Sequence, residues 1–375
     1  MRIAINAFFY GHRMTGSGQY TFQLMRHLPG EESHEYFMIE LEEIGYTGPA
    51  RCLRATTPFD RRRENLAKLW FEQISFPHLC RKVRADVAHV PYFAPPLLPT
   101  VPTVVTIHDL IPLLLPAYRR SLLVRLYNRL VSAAARRAAL ILTDSQASKN
   151  DIVRLLKIQP ERVRVIYLAV EDIFRPIRNE ARLADVRRKY GLPPRYILYL
   201  GGFDQRKNLS ALLQAFAMVE ERVHLVIAGR LPARDVPLFP DPRRLVREMN
   251  LEEKVIFTGW VAEEDKPALY SGAELFVFPS LYEGFGLPVL EALACGTPVV
   301  ASEAGSLPEI VGRGGVTCPP ADVEGLAGAM AALLEDKERR ACFQAEALAQ
   351  AARFSWRDTA RQTLAAYQDA QRARR

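Results

Sequence analysis

The sequence predicts an α/β protein of two domains, each built on a parallel sheet with helices packed against it. Three observations predict this. At 375 residues the chain is too long for one hydrophobic core. Short β-branched runs alternate with longer amphipathic stretches, the pattern of repeated βα units. A single interval, residues 174–194, breaks that alternation with Pro176, Pro193 and Pro194, and a new strand pattern starts at Tyr196.

In chain order, strands are expected at residues 2–7, 86–90, 103–106 and 140–143, with 163–167 closing the first half. The second half is expected to place them at 196–200, 224–228, 255–258, 275–278 and 298–301. Helices are expected between them, among others at 121–139, 208–219 and 288–294. The expected domains are 1–175 and 176–355, followed by a last helix at about 356–375 after the Phe354-Ser355-Trp356 break. Two α/β halves joined in this way leave a cleft, and the carboxyl ends of parallel strands are where such domains bind ligands.

An apolar fraction of 49% with 25% charged residues is that of an ordinary globular protein. No apolar run approaches the ~18 residues of a membrane span. The first residues read as a buried strand without a signal-peptide pattern. The five cysteines are odd in number and scattered, with no Cys-x-x-Cys pair, which fits a reducing cytosol better than a disulfide or zinc framework. A cytoplasmic location, peripheral at the inner face of the cell membrane, is therefore expected. Residues 1–175 carry 24 Lys and Arg against 16 Asp and Glu, so the whole net charge of +8 lies there. Arg61-Arg62-Arg63 and the arginine-rich stretch from Arg119 to Arg137, with Trp70 and Phe71 as apolar anchors, make contact with an anionic membrane an expectation.

Four strings carry chemistry. In Phe278-Pro279-Ser280-Leu281-Tyr282-Glu283-Gly284-Phe285-Gly286-Leu287-Pro288-Val289-Leu290-Glu291, a strand runs through a glycine turn into a helix. The backbone N–H groups of Phe285, Gly286 and Leu287 then sit at a positive helix terminus that suits phosphate. Glu283 and Glu291 are carboxylates of the kind that bind sugar and ribose hydroxyls. Leu200-Gly201-Gly202-Phe203-Asp204-Gln205-Arg206-Lys207-Asn208 places two cations after a strand, where they would hold a diphosphate leaving group. Gly16 and Gly18 in Thr15-Gly16-Ser17-Gly18-Gln19-Tyr20 would let a ligand approach backbone closely. His108, before Asp109, follows a strand and would bond a sugar hydroxyl. Taken singly, each has a plain alternative: a solvated glutamate, an exposed Arg-Lys pair, a loop, a structural histidine.

Together these strings resemble the family 4 retaining glycosyltransferases, whose GT-B architecture is two facing Rossmann-like domains. The resemblance spans nearly the whole chain and includes Gly296-Thr297-Pro298-Val299-Val300 and Leu307-Pro308-Glu309-Ile310. It implies an acceptor-binding first domain, a donor-binding second domain and a C-terminal helix crossing back to the first. Glu283 would touch the donor sugar and Glu291 the ribose. Phe285, Gly286 and Leu287 would serve the sugar and diphosphate, Lys207 and Arg206 the diphosphate. Gly16, Gly18 and Gly202 would line the donor site, His108 would meet the transferred sugar, and Trp260-Val261 the base. The family retains anomeric configuration and uses no metal or other cofactor.

Many members carry an arginine where this chain has Gly202, five positions before the lysine. Arg206 takes over that charge, as in a subgroup with several mannosyltransferases. That favours mannose as the hexose, with GDP-mannose or a UDP-sugar as donor and a glycan or lipid-linked acceptor. The rival readings are another enzyme of the same architecture, such as a sugar-nucleotide epimerase, and a basic nucleic-acid-binding protein. The second leaves the glutamate and lysine strings unexplained, and no nucleic-acid motif is present, so nucleic acid is not an expected partner.

Overall fold

A computed structural model describes the chain except residues 13, 14, 30–33, 44, 60–62, 120, 220, 221, 374 and 375. The chain forms two compact units, Met1–Leu168 with Trp356–Arg375, and Ala169–Ser355.

The first unit holds a seven-stranded, all-parallel sheet. Its strands are β1 (Arg2–Asn6), β2 (Glu35–Glu40), β3 (Arg51–Arg54), β4 (Val87–Val90), β5 (Thr103–Thr106), β6 (Leu140–Thr143) and β7 (Val163–Val165), in the order β3-β2-β1-β4-β5-β6-β7. Alternate residues feed two cores. Ala4, Ala88, Val105 and Ile141 face one, while Ile3, Ile5, Val87, Val104, Leu140 and Leu142 face the other. Both faces are therefore covered, and this is why the strands read as unbroken apolar runs. The helix Trp356–Arg372 supplies Ala366, Tyr367 and Ala370 to the second core. Its Tyr367 hydroxyl lies 2.7 Å from His89 Nδ1, and Thr359 Oγ1 donates to the Tyr167 carbonyl at 2.7 Å.

The second unit has a six-stranded parallel sheet of β8 (Tyr196–Leu200), β9 (His224–Ala228), β10 (Val255–Gly259), β11 (Leu275–Phe278), β12 (Val299–Ser302) and β13 (Gly315–Cys318), ordered β10-β9-β8-β11-β12-β13. The interval read from its prolines as a break contains an eleven-residue helix, Glu180–Tyr190. Asn179 caps its start by accepting from the Arg182 N–H, and Gly191 ends it at φ 63°.

In each sheet the strand order reverses once, between β1 and β4 and between β8 and β11. Those reversals are the points where open parallel sheets present ligand-binding crevices at strand carboxyl ends.

Candidate active site

In the second unit, both loops flanking the reversal carry the singled-out residues. The loop after β8 delivers Arg206 and Lys207, and the loop after β11 delivers Glu283. Lys207 Nζ donates to Glu283 Oε1 at 2.7 Å, and Arg206 Nη1 lies 2.7 Å from Glu283 Oε2. Arg206 Nη1 also donates to the Tyr282 carbonyl at 2.8 Å, while the Leu281 N–H donates to the Arg206 carbonyl at 2.7 Å. The two loops are thus stitched by backbone as well as by charge. Asp204 Oδ1, 3.4 Å from Arg206 Nε, brings the cluster to two cations and two carboxylates. Burial would push the Glu283 carboxyl up, but Lys207 and Arg206 outweigh it and hold it below the ordinary glutamate value. Glu283 is therefore ionised at neutral pH.

Asn208 explains why an asparagine follows the lysine. It sits at φ 55°, a left-handed conformation that asparagine tolerates, and its Nδ2 donates to the carbonyls of Pro279 and Pro320. Gly202 keeps open space around it, with only Asp204 Oδ2 near at 3.8 Å from where a Cβ would stand.

The helix after the glutamate loop spans Leu287–Ala294, with Gly286 as its cap at φ 99°. A Cβ on Gly286 would stand 2.8 Å from Leu307, so strain and crowding both require glycine there. Neither the Gly286 nor the Leu287 N–H has a hydrogen-bond acceptor among the described residues, leaving this terminus available to an anion. Phe285 is buried, its ring edge-on to Phe354 at 6.0 Å, and its carbonyl accepts from Ser306 Oγ at 2.7 Å. Ser306 Oγ and N–H also both reach the Glu283 carbonyl at 3.1 Å. Gly305, at φ 60°, packs where any Cβ would meet that same carbonyl at 2.3 Å. Gly305-Ser306 is thus the bracket that shapes the glutamate loop, a contact across 23 residues that sequence pattern alone did not reveal.

Glu291 lies on the buried side of its helix and accepts from the Tyr270 hydroxyl at 2.8 Å through Oε2. Burial dominates here and raises its carboxyl to about 7, against partial compensation from Lys266 and Tyr270. The Val261 side chain is buried, whereas its neighbour Trp260 is half exposed.

The first unit holds Gly16, Gly18 and His108. The helix Gly16–His27 starts right after Thr15, whose side chain accepts from the Gly18 N–H. The two glycines differ. A Cβ on Gly16 meets nothing within 4 Å, whereas one on Gly18 would stand 2.2 Å from the His12 carbonyl and 2.6 Å from that of Phe9. Gly18 thus lets the chain pack on itself, and Gly16 is the one facing open space.

The string pairs His108 with Asp109, but the fold pairs it with Asp144, 2.7 Å from Nδ1, while Asp109 instead accepts from the Ile111 N–H at 2.9 Å. His108 Nε2 lies 3.2 Å from the Pro91 carbonyl. Two acceptors on two ring nitrogens suit the doubly protonated ring. Burial pulls His108 down, yet Asp144, Asp109 and the Pro91 carbonyl together raise it above the ordinary histidine value. The Tyr20 ring from the glycine-loop helix stands edge-on to His108 at 5.0 Å, which brings the two strings of this unit together.

A second polar group near the reversal escaped the sequence reading. Lys68 Nζ lies 5.0–5.9 Å from the ring centroids of Phe8, Phe9, Tyr92 and Tyr127, and 3.7 Å from the buried Glu72. Tyr127 donates to both Glu72 oxygens, and burial raises that carboxyl to about 7.

Comparison with known proteins identifies the family and the fold. Residues 184–350 match the family described as glycosyl transferases group 1, and residues 14–172 match glycosyltransferase family 4. The Escherichia coli O-antigen chain mannosyltransferase B is 37% identical over 70% of this chain and 69% of its own length. The serotype-specific mannosyltransferase WbdA of Escherichia coli is 36% identical over 69% of this chain, which spans only 32% of that longer protein. Among solved structures, sucrose-phosphate synthase from Thermosynechococcus elongatus covers the whole of both chains with a TM-score of 0.78 at 24% identity. This chain belongs to the family 4 glycosyltransferases of GT-B fold and is itself a glycosyltransferase.

Proposed function

We propose that the enzyme transfers a hexose, with mannose favoured, from a nucleoside-diphosphate sugar to a glycan or lipid-linked acceptor in polysaccharide or glycolipid synthesis, with retention of configuration. The observation that carries this reading is the Arg206–Lys207–Glu283 cluster beside the unclaimed N–H groups of Gly286 and Leu287. The donor's diphosphate takes those N–H groups and draws the two cations from Glu283, which is released to a sugar hydroxyl. As the bond from the anomeric carbon to the leaving phosphate breaks, negative charge builds where cations and helix terminus are already placed. The acceptor oxygen bonds to that carbon, and its proton passes to the departing phosphate. No metal or cofactor enters this scheme. Glu291, with Oε2 held by Tyr270, offers Oε1 to the ribose diol.

The mannosyltransferase names of the two relatives support mannose, and with it GDP-mannose over a UDP-sugar. A thermal-shift panel of GDP, UDP and ADP with their sugars tests the donor. A cognate ligand at ~100 times its Kd adds ~2.7 kcal/mol of stability. Stabilisation by none of them would defeat the reading, as would nucleotide release that yields only free hexose in the presence of mannan oligosaccharides.

A further inference from the structure

The basic character of the first unit centres on the expected stretch from Arg119 to Arg137, with Trp70 exposed as expected, while the other expected apolar anchor changes. Phe71 is fully buried and anchors nothing, and Arg61 and Arg62 lie outside the described residues. The helix Leu122–Ala135 instead leaves Leu122, Leu123 and Leu126 exposed at 69%, 77% and 50%, three large apolar side chains within its first five residues. Its neighbour, joined to it through the Tyr127–Glu72 hydrogen bonds, exposes Leu66, Trp70 and Ile74. Those three are spaced by four, so they form one stripe along the helical segment 64–75.

Beside the leucines runs a groove of about 730 Å³ whose lining includes Arg119, Arg125, Arg129 and Arg136, Asn128 and Ser132, with no carboxylate among its described lining residues. Arg125 is steadied through Nε on the Arg119 carbonyl and Arg136 through Nε on that of Leu156, both at 2.9 Å. The Asn128 side-chain nitrogen is buried there without a hydrogen-bond partner among the described residues.

We propose that these two helices dock the first unit on an anionic phospholipid surface. The leucines, Trp70 and Ile74 enter the interface, and the arginine groove takes a lipid phosphate, with the Asn128 amide as an additional donor. The pairing follows from charge complementarity: four guanidiniums, with no carboxylate among the described lining residues, adjoin Leu122 and Leu123, exposed at 69% and 77%. Arginine forks suit phosphate oxygens, and the apolar stripes gain by leaving water. Among the described residues no helix is long and apolar enough to cross a membrane, so the contact is peripheral.

The test is co-sedimentation of the full chain with phosphatidylcholine vesicles, with and without phosphatidylglycerol. Wild type should bind only the anionic vesicles and release as salt rises. R125E/R129E should lose about 30-fold or more in apparent affinity, taking each arginine at ~1 kcal/mol. L122S/L123S should lose about tenfold or more, because two leucines no longer leave water. Both variants alter exposed positions, and unchanged melting temperatures establish that they fold. Equal binding by wild type and R125E/R129E, or binding indifferent to phosphatidylglycerol, would overturn the proposal. So would undiminished wild-type vesicle binding in excess glycerol 3-phosphate together with displacement of that phosphate by neither vesicle type, since the groove would then hold no lipid phosphate. The nucleotide panel above addresses the transferase reading alone, so each can fail without the other.

Discussion

Glu283 and Glu291 stand on one strand–turn–helix segment, equally withdrawn from water, yet they are opposites electrostatically. Glu283, on the loop, has a lysine and an arginine each at 2.7 Å and stays ionised. Glu291, inside the helix, has one phenol at 2.8 Å and no cation in contact among the described residues, and its carboxyl rises to about 7. The desolvation cost is common to both, so the partners decide the charge. A loop at strand ends can gather cations from a second loop. A helix face packed in the core gathers only what its neighbours present.

The largest expected effect comes from breaking the loop side. Lys207→Ala removes one partner of a buried pair and should cost the second unit about 3 kcal/mol in urea unfolding, with transfer falling ~10²–10³-fold. Near wild-type values for both would mean that Arg206 alone carries Glu283. Glu283→Gln sharpens the same point in the other direction: the freed cations should bind nucleoside diphosphate at least as tightly by calorimetry while transfer is lost. Weaker nucleotide binding would contradict competition between carboxylate and phosphate.

On the helix side, a carboxyl raised from 4.5 to about 7 means the folded unit holds its proton more tightly than the unfolded chain. That contribution is complete below pH 4.5 and is lost as pH rises towards 7, so Glu291→Gln should flatten roughly 3 kcal/mol of slope in that window. Unfolding curves of wild type and variant that stay parallel across it would refute the assignment.

His108 applies the logic to a base in the first unit. Its raised value makes the Asp144 pair's contribution complete below the ordinary histidine value near 6.5, and that contribution is lost as pH climbs through the folded one. Asp144→Asn should remove about 2 kcal/mol at pH 6 and much less at high pH. NMR titration of the ring should show the value falling in the variant. Smallest is Tyr270→Phe, about 1 kcal/mol above pH 7, where Glu291 is ionised and needs the donor, and less below. An equal cost at all pH values would show that the phenol serves packing alone.

Much of this was legible because buried parallel strands announce themselves: β8, β9 and β11 were placed at their observed limits from β-branched and aromatic runs. β3, Arg-Cys-Leu-Arg at the sheet edge with most of its side chains exposed, has no such pattern. The helix at Gly16 was obscured by its own glycines, although the Thr15 cap was a readable signal. At the site, residue types and their order were legible, but their pairing was not. His108 lies beside Asp109 in sequence and bonds Asp144, because successive strand ends, rather than successive residues, meet at the rim of a parallel sheet. Phe71 looked like an anchor beside Trp70, yet adjacent helical positions point about 100° apart, and one of the two faces the core.

The helix Trp356–Arg372 has a consequence for how the protein is made. His89 in the centre of the first sheet relies on Tyr367, 278 residues later, to satisfy its Nδ1. During synthesis the ribosome must deliver all of residues 169–355 before that partner emerges. The unit begun first is therefore finished last, and its sheet waits with part of one apolar face uncovered while the other unit can already close. A nascent chain halted before Trp356 should expose that face to chaperones, and the vulnerable interval lengthens with every residue of the intervening unit.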